Sequence, residues 1–306
     1  MQLNFQTNSC VIRANAVLVP DHMKLRLSTG MSWFDEALGT QDKPGFIAGE
    51  VILVAGMPGS GKSTLLRQLA SMTELNTLMN VVEESFEQVK MALDDKRVEG
   101  DFDLSNYRNV DDLLKVVEEA RYQVVVVDSL QNLYSETDHL GNELKAAPGS
   151  AKQVELCTEK ICGYAKRTLC TFFLVGHSTK AGEFRGTATL EHIIDATVKI
   201  SVDEGTDEDG NQTTTRVLQL EKNRWGMTRV EYYLGMTERG LSLIDAPAQP
   251  EKKRSKAGST ATTARQLRAD QPDATKHEFM EALIAASGCG HTTAQTYWYS
   301  LNRSAI

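Results

Sequence analysis

Nine residues constrain this chain more than any other stretch: Gly56-Met57-Pro58-Gly59-Ser60-Gly61-Lys62-Ser63-Thr64. They satisfy G-x-x-x-x-G-K-[ST], the spacing of a phosphate-binding loop. The apolar, β-branched run Glu50 to Ala55 precedes them and reads as a buried strand. Leucines at helical spacing follow within Thr64 to Ala70. Strand, glycine loop and helix together form the context that the motif needs. The glycines let successive N–H groups curl toward phosphate oxygens, at a helix N-terminus that favours negative charge. The cradle is expected from Gly56, Pro58, Gly59, Ser60, Gly61, Lys62, Ser63 and Thr64. Lys62 would reach the β- and γ-phosphates and the Ser63 hydroxyl would ligate magnesium. ATP with Mg2+ is the expected ligand.

The flanking pattern predicts an α/β fold with a mostly parallel, twisted sheet. Gln123 to Val127 is a continuous β-branched run, which means that both faces are covered. It ends in Asp128, the expected second magnesium group, acting through water. A strand over Thr77 to Val82 ends in Glu83-Glu84-Ser85, and one over Leu169 to Gly176 ends in His177. Polar groups at the carboxyl ends of parallel strands lie where such folds place their ligand crevice. Helices are predicted over 31–38, 87–93, 113–120 and 152–167, and two more strands over 198–202 and 216–221. Tyr134 to Ser150 and Ser178 to Ala188 lack a hydrophobic period and read as long functional loops. Lys222-Asn223-Arg224-Trp225-Gly226 then breaks the strand pattern with two cations.

Composition narrows the class. A net charge of −8 excludes a uniformly basic surface but leaves room for a local basic stripe. The charge is uneven: from Glu251 onward there are eight Lys/Arg against five Asp/Glu. Five cysteines without a C-x-x-C pair suggest reduced, buried thiols. No signal-peptide pattern and no bilayer-length apolar stretch are present, so a cytoplasmic protein without membrane partners is expected.

In their order, these motifs make the chain resemble the RadA/Sms proteins, bacterial RecA-fold ATPases. The resemblance runs from about Leu27 to Asp245. It rests on Leu27-Ser28-Thr29-Gly30, the phosphate loop, Glu83-Glu84-Ser85 and Val127-Asp128-Ser129-Leu130-Gln131. It continues through Ala147-Pro148-Gly149-Ser150, Leu174 to Lys180, Leu190-Glu191-His192-Ile193-Ile194-Asp195 and Lys222 to Gly226. The family's four-cysteine zinc module and Lon-like domain have no counterpart in the sequence. The domain reading is an N-terminal arm over 1–26, a RecA-like P-loop ATPase domain over 27–245, a flexible linker over 246–272, and a small helical domain over 273–306. In that last domain a helix from Lys276, a glycine turn and a helix capped by Thr292 or Thr293 have a helix-turn-helix layout. Its aromatics, Tyr297, Trp298 and Tyr299, are expected to dock on the ATPase domain or a neighbouring subunit, the alternative being DNA contact by the last helix.

Chemistry and resemblance together imply the roles. Glu83, with Glu84 as the close second, would orient the attacking water, and His177 would report the γ-phosphate. Lys222 and Arg224 resemble the paired fingers that RecA-like rings insert into a neighbour's site, which implies a homo-oligomer, a hexameric ring. The loops after Asp128 and His177 would face a central channel, with Lys145, Lys152, Lys180 and Arg185 on the DNA backbone. The expected function is an ATP-driven DNA motor, a helicase or branch-migration ATPase on single-stranded or branched DNA. A recombinase or replication protein is an expected partner. The alternatives are a RecA-like strand-exchange filament and a slow nucleotide switch or loader that binds proteins.

Overall fold

The apolar runs around the phosphate loop, Asp128 and His177 lie side by side in one sheet. The structure is a computed structural model that describes residues 13–19, 24–96, 98, 100–177, 190, 192–206, 212–246, 256–272, 274–287 and 291–302. The chain divides after Asp245 into two compact units. In the first, the strands are β1 (Arg26–Leu27), β2 (Phe46–Ile47), β3 (Val51–Gly56), β4 (Thr77–Val81), β5 (Asp103–Ser105), β6 (Val124–Asp128), β7 (Thr171–His177), β8 (Ala196–Thr206), β9 (Gln212–Asn223), β10 (Glu231–Thr237) and β11 (Gly240–Leu243). The helices are α1 (Ser32–Leu38), α2 (Lys62–Met72), α3 (Phe86–Asp95), α4 (Val110–Ala120) and α5 (Ala151–Thr168). Nine strands form the main sheet in the order β11-β10-β9-β8-β3-β7-β6-β4-β5. The pairs from β8 to β5 are parallel, and β8, β9, β10 and β11 pair antiparallel.

Alternation along the central strands divides the core into two layers, because successive side chains leave a strand on opposite faces. Ile52, Val54, Val126, Phe173 and Val175 pack on one face with Leu65, Leu66 and Leu69 of α2. Val51, Leu53, Val125, Val127, Phe172 and Leu174 pack on the other with α4 and α5 through Val117, Cys157 and Ile161. Coverage on both faces accounts for the unbroken valines of β6. Cys157, Cys162 and Cys170 are free and buried, and burial pushes each thiol up to about 12.

Local chemistry sets the ends of these elements. Ser85 and Gln88 form a reciprocal capping box at the start of α3, which places Glu83 and Glu84 just outside the helix. The Leu27-Ser28-Thr29-Gly30 stretch is a brace. Asp35 of α1 accepts from Ser28 Oγ (2.5 Å), Thr29 N (2.7 Å) and Thr29 Oγ1 (2.7 Å). Gly30 has φ +83°, and a Cβ there would stand 2.3 Å from the Met72 carbonyl oxygen at the end of α2.

Three strands of the main sheet escaped the sequence pattern. β5 is short and polar; its Ser105 donates to buried Asn80 Oδ1 (2.9 Å), and the same oxygen accepts from Tyr107 N (2.8 Å). The β10–β11 hairpin is fastened to α2 by Gln68, whose amide bonds Leu241 N (2.8 Å), Leu241 O (3.1 Å) and Arg239 O (3.0 Å). The 134–150 segment is more ordered than a bare loop. Buried Gln153 fastens its base at Ser135 and Ala146, and Thr137 pairs with Glu143.

Glu50, just before β3, is buried, and among the described residues Oε1 of its carboxylate has no partner. Burial raises its pKa to about 7, against a lowering bond from Ile47 N. A carboxyl whose folded pKa exceeds its unfolded value gives stability that is complete below about pH 4.5 and lost as pH rises through about 7. Glu50→Gln is therefore expected to raise Tm at pH 8 and to leave it nearly unchanged at pH 4.5, measured by calorimetry at both values. A stabilisation independent of pH would remove this account.

The second unit holds α6 (Lys256–Asp270), α7 (Lys276–Ser287) and α8 (His291–Asn302). It corrects two expectations. The supposed flexible linker, 246–272, contains α6: its alanines favour helix, and Ala264 and Leu267 pack against Phe279, Met280 and Leu283. Tyr297 and Trp298 belong to this unit's own core, with the Trp298 ring 5.4 Å from Phe279 and Arg268 lying 4.7 Å over it. α8 starts at His291, so Thr292 and Thr293 sit in its first turn rather than at the cap. Among the described residues no helix is long and apolar enough to cross a membrane.

Candidate nucleotide-binding site

The carboxyl ends of β3, β4, β6 and β7 bring together five residues singled out from the sequence. Gly61, at φ +103°, turns the loop into α2, a left-handed conformation that favours glycine. Lys62 is buried, and its Nζ donates to Gly56 O and Met57 O, both at 2.9 Å. Burial lowers its pKa, while the charges of Asp128 and Glu83 pull it back up. The Ser63 hydroxyl lies beside the Asp128 carboxylate. Asp128 is buried at the end of β6; burial raises its pKa, the Ser63 hydroxyl lowers it, and the Glu83 charge adds to the rise.

Glu83 and Glu84 diverge. Glu83 Oε1 accepts from Asn132 Nδ2 (2.6 Å), Ser129 Oγ (2.8 Å) and His177 Nε2 (3.4 Å). Burial pushes its pKa up, but the bonds from Ser129 and Asn132 and the bond and charge of His177 outweigh that and hold it low. Glu84 instead pairs with Arg67 on α2. Among the described residues, Ser60 Oγ and His177 Nδ1 are buried without hydrogen-bond partners.

Lys222 and Arg224 lie at the other end of the sheet. Lys222 Nζ donates to Ile194 O (2.6 Å). Arg224 bonds Asp195 Oδ1 and His192 O, both at 3.0 Å. Asp195, itself buried, also accepts from the first N–H of β3 (3.0 Å). Lys222 is level with Thr197 and thus with Leu53, three residues before the end of β3. At about 3.3 Å per residue and about 4.8 Å per strand, its backbone is about 14 Å from that of Gly56, and that of Arg224 about 19 Å. Both side chains are held farther still from the loop.

Lys145 is exposed in the 134–150 segment, and Lys152 is exposed on the first turn of α5 rather than in a loop. Lys180 and Arg185 lie outside the described residues. Sequence reasoning gave no role to Ser129, Asn132 or Asp195. Ser129 and Asp195 stood inside motifs already marked, and adjacency to Asp128 was the available signal for Ser129.

The chain is 32% identical over 245 residues to the DNA repair protein RadA of Synechocystis, covering 73% of this chain and 45% of that protein. It is 33% identical over 226 residues to RadA of Haemophilus influenzae (73% and 46%) and 31% over 248 residues to RadA of Bacillus subtilis (78% and 50%). The chain spans about half the length of the curated relatives it matches. Residues 52–185 are similar to the core domain of viral superfamily 1 RNA helicases. Among solved structures, a KaiC-like protein of Pyrococcus horikoshii superposes with TM-score 0.57 at 16% identity, covering 72% of this chain and 98% of that one. That likeness is one of fold: a RecA-like α/β architecture.

Proposed function

We propose that this chain, a member of the RadA family by its first unit, is an ATP-hydrolysing motor on single-stranded or branched DNA. The separation of two charged clusters carries the reading. One end of the sheet holds Lys62, Ser63, Glu83, Asp128 and His177; the other holds Lys222 and Arg224. The second cluster cannot reach its own chain's phosphate loop, so it serves a neighbour's. A head-to-tail contact of that kind closes into a ring when its rotation closes. Beside Arg224, Trp225 is 49% and Met227 48% exposed, an apolar surface suited to burial between subunits.

Within one site the residues divide the labour. Lys62 and the loop N–H groups hold the phosphates. Ser63 and Asp128 offer hard oxygen donors, and among the described residues no group of three or more His, Cys, Asp or Glu builds a closed metal cage. That set fits Mg2+, which keeps waters and phosphate oxygens and supplies charge neutralisation on the β- and γ-phosphates when bound. Glu83, held ionised and oriented by Ser129 and Asn132, takes the proton of the attacking water. His177 touches Glu83 and directly precedes residues 178–189 in sequence, so it links the γ-phosphate to the segment proposed to bear Lys180 and Arg185 on DNA. Lys145 and Lys152 make backbone contacts from the 134–150 side.

The test is ATP turnover by the purified chain with and without single-stranded DNA, paired with electron micrographs under the same conditions. Turnover raised several-fold by DNA, together with closed six-membered rings, is the expected result. Slow turnover indifferent to DNA would favour the nucleotide switch, and open helical assemblies would favour the strand-exchange filament.

A further inference from the structure

Arg216 is a cation beside the phosphate loop to which no role has yet been given. It lies on β9, opposite Val202 of β8. Ile200 of β8 is level with Gly56, so Arg216 stands two residues past the end of β3, at the same end as the loop. A Cβ built on Gly61 would meet Arg216 Cδ and Nε at 3.4 Å each, and Leu241 Cδ1 at 3.3 Å. The arginine stem therefore lies along the residue that opens α2. The strands behind it are held in place, because Gln68 of α2 fastens the β10–β11 hairpin at Arg239 and Leu241.

Among the described residues the guanidinium is uncompensated. Its Nε is buried without a partner, and among the described residues no carboxylate pairs with it. Among the described residues of a chain with 41 acidic residues, this half-buried cation stands unmatched next to a loop built for anions. Burying an unpaired charge is costly, and a ligand that supplies the opposite charge removes the cost. Position selects the part of the ligand. β8 and β9 flank β3 on one side, whereas β7 and β6, which carry His177 and Asp128, flank it on the other. Arg216 thus approaches from the side away from the hydrolytic carboxylates, against the loop N–H groups that cradle the α- and β-phosphates.

We infer that Arg216 binds the α- and β-phosphates of the nucleotide held by its own chain. The inference rests on the nucleotide reading of the loop and adds to it a ground-state binding residue in cis. A contact shared by ATP and ADP stabilises bound substrate and transition state alike, so it sets affinity for both nucleotides.

Calorimetric titration of ADP, and of ATP with Mg2+, into the full chain and its Arg216→Gln and Arg216→Lys variants tests this. Arg216→Gln is expected to weaken ADP and ATP by the same factor, on the order of tenfold or more, as for loss of a hydrogen bond to a charged group. Arg216→Lys should fall between, since a point charge replaces the planar fork. The unliganded Tm of Arg216→Gln should match or exceed that of the parent, because no protein partner is lost; a purely structural arginine would lower it. ADP affinity within twofold of the parent, or weakening confined to ATP, overturns the inference while the nucleotide reading stands. A parent chain that binds neither nucleotide overturns that reading itself.

Discussion

Glu83→Gln is expected to lower ATP turnover by about 10²- to 10⁴-fold, the usual contribution of a positioned general base, while ATP remains bound. The amide keeps the size of the side chain and can still accept from Ser129 and Asn132, so the 2.8 and 2.6 Å contacts that orient it survive. What it loses is basicity. Glu84→Gln is the internal control: its carboxylate is engaged with Arg67 on α2, so it should alter stability slightly and turnover little. Lys62→Ala should differ from both by abolishing nucleotide binding, since Lys62 spans the mouth of the loop at Gly56 and Met57. Single-turnover hydrolysis and nucleotide titration of the three variants separate these outcomes. If Glu84→Gln proved the inactive variant and Glu83→Gln hydrolysed normally, the assignment would reverse.

That pair of glutamates also shows how far the sequence reaches. Two adjacent acids after a strand leave a strand on opposite sides, and residue identity cannot say which one faces the crevice. The choice is made by groups distant in sequence, Arg67 for one and Ser129, Asn132 and His177 for the other. Central strands were legible because burial on both faces demands a continuous apolar run, as in Val124 to Val127. β5 was not, because what fixes Asp103–Ser105 at the sheet edge is the buried amide of Asn80, a contact between distant residues. α6 was misread for a related reason: Lys256 to Asp270 has almost no amphipathic pattern, and a few small residues such as Ala264 suffice to seat it on Phe279. Arg216 had no signal of its own, since a cation in a strand becomes informative only when its surroundings lack an acid.

The other large effect belongs to the far end of the sheet. Lys222→Ala and Arg224→Ala are each expected to cost on the order of 10³-fold in turnover with little change in nucleotide affinity, as for charges that act at the transition state. Arg224 also neutralises buried Asp195, so its removal carries a stability cost of its own. An unchanged Tm for Lys222→Ala, whose Nζ donates to the Ile194 carbonyl oxygen, keeps the test clean. Mixing provides the decisive measurement. A Lys222→Ala subunit retains Glu83, and a Glu83→Gln subunit retains both cations, so either pure assembly is inactive while some mixed contacts pair an intact site with intact fingers. In an equal, random mixture about a quarter of the head-to-tail contacts are of that kind, and turnover should recover toward about a quarter of the parent's. Recovery would show that one subunit completes another's site. Rings that form with both variants present and stay inactive would mean that Lys222 acts within its own chain, which the distance of about 14 Å to the loop argues against.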